Sequence, residues 1–259
     1  MKEIRELLES SDSLIITAGA GMGVDSGLPD FRGNEGFWKA YPALNGKSFS
    51  SIANPETFET SPSLAWGFYG HRTDTYRNTI PHEGFKLLLE IANKLGKYFV
   101  VTSNVDEQFQ SAGFDPSLID EIHGSIFNLQ CTEPYLCEFK TWRNHYQFNV
   151  DSSCHTDVVP NCKFCGKIAR PNILMFNDIH HVDSGIQEDN FHAWIKTVKR
   201  PLVIEIGAGT AIPSIRNFSN QYANTLIRIN PRESQIPYNK GISLPMNGLD
   251  GIRLVHSYL

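Results

Sequence analysis

A short apolar run that ends in a glycine-rich turn constrains the fold of this chain more than any other feature. Residues Ser13–Ala18 read Ser-Leu-Ile-Ile-Thr-Ala, which is the pattern of a buried strand in a parallel sheet. The turn that follows contains Gly19, Ala20 and Gly21. Because glycine has no Cβ, the backbone N–H groups of such a turn can approach a phosphate. The run therefore predicts a nucleotide-binding turn after a parallel strand.

Strand-like and helical segments alternate along much of the remaining chain. Further strands are predicted at Tyr98–Thr102, Leu202–Ile206 and Thr225–Ile229. Helices are predicted at His82–Lys94, Gln187–Lys199 and Pro213–Tyr222. This alternation predicts an α/β fold with a doubly wound, mostly parallel, Rossmann-like sheet and helices on both faces. Ligands of such sheets bind outside the carboxyl ends of the strands.

Two stretches interrupt this alternation. Residues 34–80 are rich in aromatic and turn-forming residues, and residues 125–170 contain all five cysteines. We expect both to be insertions that form a smaller domain above the sheet. The larger domain then comprises residues 1–33, 81–124 and 171–259.

Composition excludes several classes of protein. The chain has 259 residues and a formal net charge of −5, which provides no basic surface for nucleic acid. No apolar stretch approaches the roughly 20 residues that a membrane-spanning helix needs, and the acidic, amphipathic start differs from a secretory signal. We therefore expect a cytoplasmic protein that binds neither nucleic acid nor membranes.

Five segments carry the motifs that indicate a family. In chain order they are Gly19–Gly21, Ser26–Arg32, Ser103–Asp106, Glu121–Gly124 and Arg170–Phe176. Together they resemble the sirtuin family, whose members use NAD to remove acyl groups from lysine, and the resemblance extends from Gly19 to Asn230. It implies a single catalytic domain in which an acylated lysine of a protein or peptide meets NAD.

The resemblance also implies roles for individual residues. The residues implied to bind NAD are Gly19, Ala20, Gly21, Asp30, Phe31, Arg32, Ser103, Asn104, Asp106, Gly207, Gly209, Thr210 and Asn230. His123 is the expected general base, with Asn104 and Asp106 beside it as catalytic residues. Imidazole titrates near neutral pH and suits the removal of a proton from a ribose hydroxyl. The alternatives are a histidine that satisfies a polar loop, Asx turns at Asn104 and Asp106, and plain turns at Asn230 and the weaker candidate Glu233.

Several positions depart from the family pattern. Gly23 replaces a serine, Ser103 a glutamine and Phe109 a histidine, while Asn177-Asp178 stands where the family has Gly-Glu. These changes leave open the loss of a ribose contact and an altered peptide site. They also leave open two other functions: transfer of ADP-ribose to a protein or hydrolysis of NAD, and sensing of NAD without turnover.

The cysteines favour a structural metal site. Cys162 and Cys165 are separated by two residues, so that both thiolates can bind one ion. Cys131 and Cys137 would complete a four-cysteine zinc site, although five residues separate them instead of the family's two. Cys154 is a possible substitute for Cys137, and free cytosolic cysteines are the alternative. Four thiolates would leave no open position on the zinc for water.

Three residues are candidates for binding the substrate. Phe176 belongs to the segment that borders the substrate channel in the resembled family. Tyr69 and Arg72 match the Tyr-x-x-Arg pair of sirtuins that prefer succinyl or malonyl lysine to acetyl lysine. A guanidinium can bind a carboxylate through two hydrogen bonds. The alternative is an amphipathic helix with a core tyrosine and a solvated arginine.

Overall fold

The computed structural model describes residues 2–30, 33–236 and 240–259. The α-helices are α1 (Lys2–Ser10), α2 (Gly33–Ala40), α3 (Phe49–Ile52), α4 (Glu56–Thr60), α5 (Pro62–Asn78), α6 (Glu83–Leu95), α7 (Gln108–Ser111), α8 (Ile186–Ile195), α9 (Ser214–Tyr222) and α10 (Gly248–His256). The strands are β1 (Ser13–Ala18), β2 (Tyr98–Thr102), β3 (Ile119–Glu121), β4 (Gly124–Cys131), β5 (Thr141–Arg143), β6 (Ala169–Ile173), β7 (Pro201–Ile206), β8 (Thr225–Ile229) and β9 (Gly241–Leu244). Short 3₁₀ turns lie at Ala20–Met22, Val24–Ser26, Pro42–Leu44, Pro116–Leu118 and Pro134–Cys137.

Six of the described strands form a parallel sheet in the order β3-β2-β1-β7-β8-β9. The chain moves outward from β1 on one side and from β7 on the other, which is the strand order of a dinucleotide-binding sheet. Ala18, at the end of β1, lies opposite Thr102 of β2 and Ile206 of β7. The carboxyl ends of these strands therefore form a crevice where the order reverses.

Alternate residues of β1 pack on opposite faces of the sheet. Leu14 and Ile16 belong to an aliphatic cluster with side chains of α1, α6 and α10. Ile15 belongs to a second cluster that includes Phe191 of α8 and Ile215 of α9. All residues of β1 and β7 are buried, and burial of each large apolar side chain stabilises the fold by roughly 1.5–3 kcal/mol.

The local sequence explains why α6 begins and ends where it does. His82 caps its start by accepting a hydrogen bond at Nδ1 from the Gly84 N–H (3.0 Å). Gly96 ends it in the left-handed conformation, at φ +87°. Of the predicted apolar face, Phe85, Leu88 and Ala92 are buried and Leu89 is partly buried.

The second region combines an aromatic cluster with a small antiparallel sheet. The sheet has the order β5-β4-β6. The aromatic cluster comprises buried residues mainly from α2, α4 and α5: Phe37, Tyr41, Phe58, Trp66, Phe68, Tyr69 and Tyr76. Trp66 Nε1 donates to the carbonyl oxygen of Ala169 (2.9 Å) and so ties α5 to β6. This region covers the carboxyl-end crevice of the large sheet through Leu28 and Val105, which join the same cluster.

The structure confirms the predicted fold class, including the smaller helical and cysteine-bearing part. The domain limits given above stay a prediction. The helix expected at Gln187–Lys199 is shorter and ends at Ile195, because Asp12 accepts hydrogen bonds from the backbone N–H groups of Lys199 and Arg200 (3.2 and 3.0 Å) and holds them outside a helix. Among the described residues, no helix combines the length and the apolarity needed to cross a bilayer.

Candidate functional site

The glycine turns after β1 and β7 pack directly against each other. The Gly19 N–H donates to the Ile206 carbonyl (3.0 Å), and the Gly21 N–H donates to the Gly207 carbonyl (3.1 Å). A Cβ added to Gly21 would lie 2.7 Å from the Gly207 Cα, and Gly207 itself has φ +65°. These glycines therefore allow the backbones of the two turns to pack in direct contact. The sequence does not indicate this contact. Their N–H groups bind protein carbonyls, so direct contact with a phosphate stays a prediction.

The other residues predicted near this turn lie at or beside the crevice. Ala20 is exposed and Asp30 is partly buried. Phe31 and Arg32 lie outside the described residues. Gly23, the position where serine was expected, is buried, and a Cβ there would lie 3.7 Å from Oδ2 of Asp106.

The segment after β2 brings polar side chains to the same crevice. The Ser103 N–H donates to the Ala18 carbonyl (3.1 Å), and the Asn104 N–H donates to Thr102 Oγ1 (3.0 Å). Asp106 accepts a hydrogen bond at Oδ1 from the Gln108 N–H (3.1 Å), so the Asx turn considered as an alternative is present. Its Oδ2 faces the glycine turn instead.

The charge of Asp106 depends on two opposing influences. Burial raises the pKa of Asp106 to about 6, against the effects of the Gln108 N–H and the Arg72 guanidinium. At neutral pH the group is therefore mostly a carboxylate, and it can accept hydrogen bonds from a ligand in the crevice.

His123 lies in the turn between β3 and β4. Its carbonyl accepts a hydrogen bond from the Leu174 N–H (3.0 Å), which joins this turn to the segment after β6. Burial lowers the pKa of His123, and the nearby His181 lowers it further, whereas the Ser103 backbone acts in the opposite direction. The imidazole is consequently neutral at neutral pH, which is the protonation state that a general base needs.

Phe109 does not belong to the crevice. It is 2% exposed and packs edge-to-face against Phe85 and Phe114, with ring centroids 4.9 and 5.1 Å apart. The replacement of the family's histidine at this position is therefore a change in the core. The position of Phe109 therefore does not support the loss of a ribose contact, which the sequence left open.

The carboxyl ends of β7 and β8 form the other half of the crevice. The Asn230 side chain is fully buried; its Nδ2 donates to the Ala208 carbonyl (2.8 Å) and its Oδ1 accepts from the Glu233 N–H (2.9 Å). Asn230 thus braces the turn, as the alternative interpretation expected, and a ribose contact stays a prediction. Thr210 donates a hydrogen bond to Glu233 at the rim, beside Gly209.

The segment after β6 explains two departures from the family pattern. Asn177 has φ +57°, a conformation that asparagine tolerates better than most residues in place of glycine. Asp178 replaces the family's glutamate and forms a buried ion pair with Arg170, with N–O distances of 2.7 and 2.8 Å. Both substitutions are therefore compatible with a tightly held loop. Phe176 is partly buried, and its N–H donates to the Ala53 carbonyl (3.0 Å).

Two buried amides hold the next part of this loop, which sequence reasoning missed. Gln130 accepts from the Val182 N–H (3.0 Å) and donates to the His180 carbonyl (2.7 Å), while Asn172 donates to the Val182 carbonyl (2.8 Å). His181 is thereby held close to Gly124, and its buried Nε2 has no hydrogen-bond partner within the described part of the chain. The sequence offers no periodic or motif signal that links Gln130 to this loop.

Tyr69 and Arg72 lie on α5 within the aromatic cluster. Tyr69 is 1% exposed, and burial raises the pKa of Tyr69 to about 12. Arg72 is only 7% exposed, so the alternative of a solvated arginine is wrong, although the tyrosine is a core residue as that alternative expected. Its guanidinium lies 5.6 Å from the centroid of the Tyr69 ring, close enough for both residues to contact one ligand.

The sulfur atoms of four cysteines form a compact group. Cys131, Cys137, Cys162 and Cys165 have Sγ atoms within 4.8 Å of one another. The Cys131–Cys165 and Cys137–Cys162 separations are 3.6 and 3.4 Å. A tetrahedral zinc ion with about 2.3 Å bonds places its sulfur ligands roughly 3.8 Å apart, so this group fits zinc.

Cys154 is not part of that group. It is buried within the aromatic cluster instead, so Cys137 and not Cys154 completes the set. The 3₁₀ turn Pro134–Cys137 lets five intervening residues bring Cys137 back to Cys131.

Comparison with known proteins adds independent information. The model of the Sir2 family matches residues 19–212. A protein of Pyrococcus abyssi named NAD-dependent protein deacylase is 30% identical over 237 residues, covering 90% of this chain and 88% of the relative. A protein of the same name from Daphnia pulex is 32% identical over 202 residues, covering 72% and 70%.

Solved structures support the same fold. A crystal structure described as a Sir2 homolog–NAD complex superposes with a TM-score of 0.78, at 22% identity, and covers 98% of this chain and 92% of that one. The family match spans the glycine turns, His123 and the four cysteines that the structure assembles. On these observations, the chain belongs to the Sir2 family.

Proposed function

We propose that this chain removes acyl groups from protein lysines with NAD, giving nicotinamide, free lysine and O-acyl-ADP-ribose. The observation that carries the proposal is the position of His123, which lies beside Ser103 where the parallel strands end; burial there also lowers the pKa of its imidazole. The relatives named NAD-dependent protein deacylase support this function.

The crevice between the turns after β1 and β7 is the proposed place for NAD. When bound, NAD would supply a nicotinamide leaving group and a ribose hydroxyl that takes up the acyl group. His123 would accept the proton of that hydroxyl on an imidazole nitrogen. Asn104 and the carboxylate of Asp106 would orient the nicotinamide end through hydrogen bonds.

The remaining NAD contacts are proposed from the family motifs. Gly19, Gly21 and Gly207 would shape the crevice through their mutual packing. Gly209 and Thr210 lie at its rim, where Gly209 leaves space for a ligand: a Cβ there would meet only Glu233 Oε2, at 3.7 Å, among the described residues.

The acylated lysine would enter between the segment after β6 and the aromatic cluster. Phe176 would border its path, and Tyr69 with Arg72 would bind the carboxylate of a succinyl or malonyl group. The burial of Arg72 supports this assignment, because a guanidinium removed from water binds an anion more strongly than an exposed one does.

The four-cysteine group would hold a structural zinc ion. Four sulfur ligands leave no coordination position for water or substrate. None of the five cysteines, which all lie within the described residues, forms a disulfide, as is usual for proteins of the reducing cytoplasm, the proposed location.

The function is tested by measuring the products of NAD by mass spectrometry, with and without acetyl, malonyl and succinyl peptides. We expect nicotinamide release to require an acylated peptide and to produce O-acyl-ADP-ribose. His123→Ala should lower the rate by roughly 10²–10⁴-fold, whereas the control His192→Ala, on the exposed surface of α8, should not.

Other outcomes identify other functions. Nicotinamide release that ignores the peptide would indicate ADP-ribosyl transfer or NAD hydrolysis. NAD binding without turnover would indicate a sensor.

The acyl preference is tested separately with Arg72→Met, and unchanged turnover of the succinyl peptide would exclude the carboxylate contact. Arg253→Met, on the exposed surface of α10 and paired with Glu83, is the control.

A further inference from the structure

Tyr76 lies one helical turn after Arg72 on α5 and binds its guanidinium directly. Arg72 Nε and Nη2 both donate to the Tyr76 hydroxyl oxygen, at 3.1 and 2.8 Å. Both residues are less than one-tenth exposed. The guanidinium carbon lies 5.3 Å from the centroid of the Tyr76 ring. One side chain thus supplies the guanidinium with both a hydrogen-bond acceptor and an aromatic ring.

Tyr76 also belongs to the candidate site. It lines a cavity of about 320 Å³ together with Asp106, Phe127 and Arg143. The charge of Arg72 influences the ionisation of Asp106, so the guanidinium lies near that carboxylate. Tyr76 therefore contacts Arg72 on the proposed acyl-binding side and shares a cavity with Asp106 on the proposed nicotinamide side.

The geometry of the contact determines what it can do. A guanidinium is planar, and its N–H groups have fixed directions. The Tyr76 oxygen accepts from the edge formed by Nε and Nη2, and this fixes the plane and rotation of the group. A carboxylate binds through two hydrogen bonds only when that plane is correctly oriented.

We propose that Tyr76 is a positioning residue that orients Arg72 to bind an acyl group ending in a carboxylate. This inference rests on the proposed deacylase function and extends it to specificity. Without the hydroxyl, Arg72 keeps its charge but loses the acceptor that Nε and Nη2 share. Substrates with a terminal carboxylate should then lose more than acetylated substrates do.

The test compares Tyr76→Phe with the wild type on succinyl and acetyl peptides of the same sequence. The measured quantity is the ratio of kcat/KM for the two peptides, with binding of each peptide followed by calorimetry. We expect the succinyl-to-acetyl ratio to fall about tenfold to hundredfold, since a hydrogen bond to a charged group is lost. The change should appear mainly in KM and in the binding affinity of the succinyl peptide.

Tyr98→Phe is the control, because Tyr98 lies on β2 outside the aromatic cluster and its hydroxyl accepts a hydrogen bond from the Asp115 N–H (3.0 Å). The ratio in this variant should equal that of the wild type. A merely structural role for Tyr76 would lower both activities and leave the ratio unchanged, which would overturn the inference. The ratio does not depend on the fraction of folded enzyme.

The wild-type result separates the two levels of the proposal. If the wild type turns over acetyl peptide but binds succinyl peptide no better, the Arg72 contact is wrong and the role of Tyr76 falls with it, while deacylation stands. If the wild type prefers succinyl peptide and Tyr76→Phe retains that preference, only the role of Tyr76 is wrong. Absence of turnover together with equal binding of both peptides would reject the function and the inference.

Discussion

The crevice proposed to bind NAD and the side proposed to bind the substrate, called here the substrate side, are built in different ways. In the crevice, backbone meets backbone: the turns at Gly21 and Gly207 touch without side chains between them. On the substrate side, side chains make the structure, through the Arg170–Asp178 ion pair, the aromatic cluster and the four cysteines. A site built from backbone depends on residues that lack side chains, whereas one built from side chains depends on the pairing of partners.

This difference predicts opposite sensitivities to mutation. Truncating a side chain should damage the substrate side, where buried partners are left behind. Adding a single methyl group at Gly21 or Gly207 should damage the crevice, because the two backbones leave no space at these positions.

The largest effect should come from loss of the metal on the substrate side. Zinc binding supplies on the order of 10 kcal/mol in small zinc domains, so Cys162→Ser or a strong chelator should unfold this region. Metal content and thermal unfolding measure the effect. Cys154→Ser is the control, since this buried thiol lies outside the cysteine group; equal loss of zinc in both variants would contradict the assigned ligands.

The next largest effect should follow the removal of Asp178. Asp178→Ala leaves the Arg170 guanidinium buried without its carboxylate, which should cost about 3–5 kcal/mol of unfolding free energy. The exposed pair Lys167–Glu133 offers a comparison, because Glu133→Ala should cost about 0–1 kcal/mol. Urea unfolding measures both changes, and similar values for the two would show that the buried pair does not stabilise the loop.

The glycine contact in the crevice should show the reverse sensitivity. Gly207→Ala meets the Gly21 backbone at 2.4 Å and has φ +65°, so we expect a loss of about 2–4 kcal/mol from overpacking and backbone strain combined. Gly113→Ala, at φ +95° and with no described atom within 4 Å of the added Cβ, should cost only about 1 kcal/mol. If both variants lost equal stability, the close approach would have no energetic consequence.

The smallest effect concerns the pH dependence of activity. His123 must be neutral to accept a proton, and its pKa is lowered from the ordinary 6.5. The fall in kcat/KM on acidification should therefore occur below pH 6.5. His181→Asn should move this fall to higher pH, because the nearby imidazole lowers the pKa of His123. An acid limb above pH 6.5 in the wild type would contradict a buried, neutral base.

The same division explains what the sequence could predict. Strands β1, β2 and β8 were predicted with the observed limits, because continuous β-branched runs bounded by small or polar residues indicate buried strands directly. The turns after β1 and β7 were found because glycine is visible as a residue type. The close contact between Gly21 and Gly207 could not be predicted, because it joins positions far apart in the chain.

The substrate side was predicted less completely for the same physical reason. Cysteine identity indicated a metal group, but whether Cys137 or Cys154 belonged to it depended on a turn that spacing does not reveal. Two further contacts depend on side-chain orientation: Gln130 binds the loop at Val182, and Tyr76 binds Arg72. Neither contact produces a periodic pattern in the sequence.

The contact between Gly21 and Gly207 also limits how this enzyme could be redesigned. Neither turn can be enlarged without displacing the other, so changes at the two positions have to be compensated jointly. At Gly209, by contrast, an added Cβ would meet only Glu233 Oε2 among the described residues, at 3.7 Å. Libraries that aim to alter dinucleotide preference should therefore vary Gly209 and Glu233 and keep the paired glycines fixed.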